Sequence, residues 1–167
     1  MNRRTFARLA VLAAAAATVA ACAREPEQQS ISDVITSNAS FGTLATALQR
    51  ADLIGTLDGD GSYTVFAPRN SAFAALPDGV LDNLLLPENR PALAAVLGAH
   101  VVRGEIFAAE LVNQTTEITT LDGTSFTVDG FDGVKITGAA GGAVTVVQPD
   151  VMARNGVIHV IDGILLP

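Results

Sequence analysis

The spacing of apolar and polar positions changes period near the middle of the chain. Between Ile31 and about Leu57 apolar residues recur at helical intervals, with Phe41, Leu44, Ala45 and Leu48 on one face and Ser40 placed to cap the start. The run "LDGDGS" stops that helix. "YTVFAPRNSAFAALP" (63–77) switches to a short strand through Tyr63, Val65 and Phe66, ended where Pro68 withholds a backbone donor. Asn70 is placed to cap a short helix that turns Ala72, Phe73 and Leu76 inward. "DGVLDNLLL" and "ENRPALAAVLGA" predict further helices, the second with Pro91 in its first turn.

After His100, strand formers and glycine turns take over. "TEITTLDGTSFTVDG" sets Asp122-Gly123 between two alternating runs and predicts a hairpin on a type I′ turn. "VKITGAAGGAVTVVQ" predicts two strands across a glycine-rich loop, "GAAGG" at 138–142. A last hairpin is predicted to turn on Asn155-Gly156, between "DVMA" and "VIHVI". Helices followed by strands, without βαβ alternation or an internal repeat, make an α+β class.

The first segment does not belong to this fold. "MNRRTFARLAVLAAAAATVAAC" has a basic start at Arg3, Arg4 and Arg8, an apolar stretch from Leu9 to Ala21 and small residues at its end, the layout of an export signal. Its apolar stretch is too short to span a bilayer. The arginine pair also fits a twin-arginine signal, although Asn2 and Ala7 depart from its strongest form, and a Sec route is equally compatible. "VAAC" at 19–22 resembles a bacterial lipobox, which would make Cys22 the lipidated mature N-terminus; cleavage after Ala21-Cys22-Ala23 would instead release a soluble protein from Arg24. Residues 23–30, "AREPEQQS", read as a polar tether, and 31–167 as the domain.

At 167 residues, 49% of them hydrophobic, the chain has material for one domain. Cys22 is its only cysteine, so no intrachain disulfide forms and multi-thiolate zinc arrangements are excluded. Once Arg3, Arg4 and Arg8 leave with the signal, seven basic residues face 17 acidic ones, about −10 net. With Lys135 the single lysine and no basic cluster, nucleic acid is an unsuitable partner.

Candidate chemistry centres on two histidines. In a strand through 157–161, His159 shares a face with Val157 and Ile161 while Ile158 and Val160 face the other way, and both faces are apolar. That pattern predicts a strand buried on both sides, with a hydrogen-bonded core histidine. Asp162 falls on the opposite face, which argues against a His-Asp dyad. His100, at a helix-to-strand junction, could approach His159, yet no close ligand spacing points to a metal. No GxSxG elbow, phosphate-cradling loop or paired catalytic carboxylates stand out. No catalytic residue, metal or cofactor is expected.

"YTVFAPRNSAFAALP", "LGAHVVRGEI" and "VMARNGVIHVIDGILLP", in this order and at these separations, resemble the first box, the Tyr-His region and the second box of the fasciclin (FAS1) domain. "LLLPENRPAL" and "TTLDGTSFTV" extend the likeness over about residues 31–167. The resemblance implies a wedge of two small β-sheets flanked by several helices, with Asn70, His100, Asn155, Gly156 and His159 as structural motif positions. It also implies a non-enzymatic, extracytoplasmic interaction module in cell adhesion or envelope and matrix association, with an unidentified protein or polysaccharide as partner and Cys22 anchoring it to the membrane. The alternative it implies is a carrier of an apolar small molecule such as a carotenoid or lipid, lined by Leu84–Leu86 and Leu93–Leu97. Ala99 stands where the family often has Tyr, so Tyr-dependent integrin contacts do not transfer. "QPDVM" (148–152) differs from an integrin-linked motif at Gln148 and Val151 and reads as a turn and strand whose Val151 and Met152 help form the core.

Overall fold

The computed structural model describes residues 29–59, 61–138 and 142–166. In chain order it contains α1 (Ile31–Ser37), a 3-10 turn (Ala39–Phe41), α2 (Gly42–Ala51), α3 (Ile54–Leu57), β1 (Tyr63–Pro68), α4 (Asn70–Ala74), α5 (Val80–Leu84), a second 3-10 turn (Pro87–Asn89), α6 (Arg90–Gly98), β2 (Val101–Arg103) and α7 (Ala108–Leu111). The strands β3 (Thr115–Thr119), β4 (Ser125–Asp129), β5 (Lys135–Thr137), β6 (Ala143–Ala153) and β7 (Gly156–Ile161) follow. The export signal, Cys22 and most of the polar tether lie outside the described residues, as do 139–141 of the glycine-rich loop.

The predicted long first helix is broken into pieces, and its caps differ from expectation. Ser30, assigned to the tether, is buried and caps α1: its hydroxyl accepts the Asp33 N–H while the Asp33 carboxylate accepts the Ser30 N–H. Asn38 caps the 3-10 turn by accepting the Ser40 N–H, so Ser40 is a capped residue rather than the cap. Asp52, at φ 60, ends α2.

The strands lie in the order β2-β1-β7-β6-β5-β4-β3. The two sheets implied by the resemblance are therefore joined into one. The joint is β6, whose Ala143–Thr145 end pairs with β5 and whose Val146–Ala153 part pairs with β7 across two register shifts. Most pairs are antiparallel, but the central β1 and β7 run parallel from Tyr63 opposite Gly156 to Pro68 opposite Ile161.

Two apolar cores result. Helices α1, α2 and α6 press Ile31, Ile35, Leu44, Leu48, Leu93 and Leu97 onto Val65, Ile158 and Val160 of the central strands. On the other side the curled sheet encloses Phe66, Phe126, Val128, Ile136, Ile161 and Leu165. Alternation along β1 and β7 feeds both cores, which is why these strands are apolar on both faces. Each large side chain so buried contributes about 1.5–3 kcal/mol by leaving water.

Both predicted hairpins exist, but on different turns. The β3–β4 connection is a five-residue loop from Thr120 to Thr124 in which only Gly123 has positive φ, so it is not type I′. In the β6–β7 hairpin Gly156 already pairs with Ala153, leaving Arg154-Asn155 as the turn. Met152, expected in the core, is 62% exposed because successive strand residues point to opposite faces and its neighbour Val151 is the one partly buried against the helical core.

Candidate functional site

His159 sits at the centre of β7, 1% exposed and opposite Phe66 of β1, whose ring stacks on the imidazole at a centroid distance of 5.5 Å and 24° between planes. Two irregular stretches of backbone reach its nitrogens. Nε2–H donates to the Ile106 carbonyl at 2.8 Å, in the segment that follows β2, and Nδ1 accepts the Asp150 N–H at 3.3 Å. Asp150, at φ 54, lies where β6 slips register against β7, and its carboxylate accepts the Ala108 N–H at the start of α7. Buried backbone that leaves a sheet needs a partner for each polar group. The neutral imidazole supplies one donor and one acceptor at fixed positions.

His100 plays the same part at another junction. It follows α6 and is 2% exposed; Nδ1–H donates to the Val96 carbonyl at 2.7 Å, and Nε2 accepts the Leu165 N–H at 3.0 Å. Burial pushes its pKa down to about 4, against smaller upward contributions from the bond to Val96 and the charge of Asp122. The ring is therefore neutral at pH 7.

These bonds decide what the histidines can do chemically. All four ring nitrogens are engaged by backbone groups, so neither ring presents a free lone pair to a metal or a proton-transfer substrate. Asp162 is exposed and accepts the Thr145 N–H at 2.9 Å on the β6 side, apart from the His159 nitrogens. Among the described residues no three His, Cys, Asp or Glu side chains gather where they could hold a metal ion.

The other motif positions are stitches of the same kind. Asn155 accepts the Ile31 N–H at 2.9 Å, at the start of α1, and its amide donates to the Leu57 carbonyl at the end of α3. Gly156 has φ 149, and a Cβ there would lie 1.8 Å from the Tyr63 carbonyl oxygen, so only glycine permits the β1–β7 approach. Asn70 does not cap its own helix; it is the first residue of α4, with Arg69 at the cap position. Its Oδ1 instead accepts the Thr43 N–H at 3.0 Å and its Nδ2 donates to the Ala39 carbonyl at 2.8 Å, capping α2 from a distance.

Thr64 and Asp150 carried no signal in the sequence, and Asp122 signalled only a turn. The buried Thr64 hydroxyl donates to the Gly104 carbonyl and accepts the Ile106 N–H. Asp150 caps α7 from 42 residues away. Asp122 gathers the Thr120–Thr124 loop: burial raises its carboxyl, but hydrogen bonds from Thr120 and Thr124 outweigh this and hold it below the usual range.

A partly open apolar pocket, of about 220 Å³, lies between α4, α5, α6 and the C-terminal segment. Phe73, Leu81, Leu84, Leu93, Leu97 and Ile164 line it, together with the His100 ring. Leu85 and Leu86, also expected to line such a groove, border a separate surface depression with Arg50 and Arg90.

Residues 39–167 match the family profile described as the fasciclin domain. Protein sll1483 of Synechocystis sp. is 47% identical over 138 residues, covering 82% of this chain and 73% of that protein. Immunogenic protein MPB70 of Mycobacterium bovis is 34% identical over 161 residues, covering 93% of this chain and 78% of its own. Among solved structures, a FAS1 domain pair from the insect cell adhesion molecule fasciclin I superposes with a TM-score of 0.74 at 18% identity, over 83% of this chain and 51% of that one. Profile, relatives and fold agree, and the chain belongs to the fasciclin domain family.

Proposed function

We propose that the protein is a non-enzymatic, extracytoplasmic interaction module held at the cell envelope through a lipid on Cys22, working by surface contact in cell adhesion or matrix association. The observation that carries this reading is the use of its two histidines, every nitrogen of which is bonded to backbone. Rings so engaged have no free nitrogen for proton transfer or metal binding, which leaves the surface as the part that can meet a partner. The relation to a domain pair from an insect cell adhesion molecule supports the same reading. The partner is a protein or polysaccharide of the envelope; the formal charge of −7 disfavours nucleic acid. Acyl chains on Cys22 would contribute about 0.8 kcal/mol per buried methylene, enough in combination for a stable anchor.

Membrane fractionation of the full chain tests the anchor: the protein should sediment with membranes and Cys22→Ala should release it. Unchanged fractionation of Cys22→Ala would remove the anchor. Loss of the protein should also reduce adhesion or envelope cohesion of the producing cells, with a neighbour recovered by crosslinking; unaltered adhesion and no neighbour would remove the interaction role.

The pocket of about 220 Å³ favours a second reading, carriage of an apolar small molecule. An apolar cavity of about 150 Å³ already stays dry and takes up a benzene-sized ligand. Purification from the native host, followed by an absorption spectrum and analysis of a lipid extract, tests it. A colourless protein free of extractable lipid would eliminate this reading.

A further inference from the structure

The curled sheet does not close. Strand β3 pairs with β4 alone, and β2 with β1 alone, apart from a lone bridge between Val102 and Thr120 supported by the Leu121 N–H donating to the Val101 carbonyl at 2.7 Å. Gly104, at φ 95, then turns the chain away towards α7. A shallow groove of about 340 Å³ remains between the two edges, floored by Val102, Ile106, Leu111 and Ile118.

The direction of the β3 backbone groups follows from its register. Gly130 N–H donates to the Gln114 carbonyl and Thr120 N–H to the Thr124 carbonyl, so even-numbered residues of this run bond towards β4. Thr115, Glu117 and Thr119 therefore turn their N–H and C=O groups towards the groove. A row of such groups at a sheet edge is a template for another strand.

Two further features select what would lie there. Beyond the Thr115 end of β3, outside the groove lining, Phe131 and Val112 are 65% and 49% exposed, and Gly130, which precedes Phe131, packs against the backbone of Leu111 and Val112. An exposed aromatic just past the end of an open edge is the kind of anchor that binding surfaces use. The rim carries Glu110 and Glu117 against one cation, Arg103, on a chain of net charge −7. A second copy is a poor occupant: twofold pairing of β3 with itself about Glu117 would set that carboxylate against its own image.

We propose that the open β3 edge, between Phe131 and the Val102–Thr120 bridge, takes up an extended basic segment of a partner protein as an added strand. The segment pairs with the backbone of Thr115 and Glu117, places its cationic side chains near Glu110 and Glu117, and covers Phe131 and Val112 with an apolar residue. This deepens the interaction-module reading by naming its partner chemistry. Its test uses purified protein and synthetic peptide, so the outcome is independent of the anchor and of cell adhesion.

The probe is a fluorescein-labelled, end-capped heptapeptide alternating valine and lysine, followed by anisotropy and by amide chemical shifts. Binding should saturate, with the largest shifts at Thr115–Thr119 and Val101–Arg103. A peptide of valine and glutamate should bind at least tenfold more weakly. Proline at 117 removes a donor that β4 does not use, so E117P should keep the fold and lose at least tenfold in affinity. If E117P unfolds, T115P replaces it, since that N–H also faces the groove. The proposal is overturned if neither peptide binds, if both bind equally, if folded E117P or T115P binds like the parent, or if β3 shifts arise from self-association without peptide.

Discussion

Acidification through the range from pH 6.5 to 4 tests the role of His100. Its ring is 2% exposed and its pKa is depressed from 6.5 to about 4, chiefly by burial. In the unfolded chain the same ring binds its proton near pH 6.5. Between these values the unfolded state therefore holds more protons than the native state, and unfolding free energy rises with pH. The stabilisation is fully present above about pH 6.5, declines as the pH falls towards 4, and changes no further below that. At about 1.4 kcal/mol per pH unit, the separation amounts to roughly 3 kcal/mol. Against a typical stability of about 5–15 kcal/mol this is a large share. Asp33, lowered by hydrogen bonds from Ser30, and Asp122, where hydrogen bonds from Thr120 and Thr124 outweigh burial, begin to lose their own stabilisation below about pH 5, and comparison with a variant that keeps both carboxylates subtracts that loss. The assay is urea unfolding of the parent and His100→Gln at several pH values from 7 to 4. The parent should lose roughly 3 kcal/mol more than the variant over that range. Equal losses would refute the assignment of a neutral, backbone-bonded ring.

Gly156→Ala should lower stability by more than about 4 kcal/mol, because its Cβ would sit 1.8 Å from the Tyr63 oxygen; a native-like melting curve would contradict the β1–β7 approach. Asn155→Ala strips partners from the Ile31 N–H and the Leu57 carbonyl and should cost about 2–4 kcal/mol in urea unfolding. Asn70→Ala removes only an exposed cap and should cost about 1 kcal/mol, with faster hydrogen exchange confined to the first turn of α2; a uniform rise in exchange would speak against the cap.

Legibility followed the range of the interactions. The burial of β7 on both faces, the inward helical stripe of α2, Pro91 in the first turn of α6 and the hairpin partners could be read because each depends on neighbours in sequence. Caps differ from the sequence pattern where a side chain serves another element: Asn70 sits at a helix start, yet its amide faces α2. The turns differ in length and position because Asn-Gly and Asp-Gly signal a turn without setting how many residues it contains. Thr64 and Asp150 look like ordinary strand residues until the distant carbonyls and N–H groups they serve are in place.

By itself the sequence determined the α+β class, the positions of most strands and helices, the family, and the apolar surroundings of both histidines. Periodicity and composition are local properties, and they survive without coordinates. Only the tertiary structure decided that β1 and β7 run parallel, that β6 joins two sheets into one, that each histidine bridges two separate backbone segments, and that the sheet remains open at β3. Those features depend on which distant segments meet, and that is set by closing the two cores rather than by any residue and its neighbours.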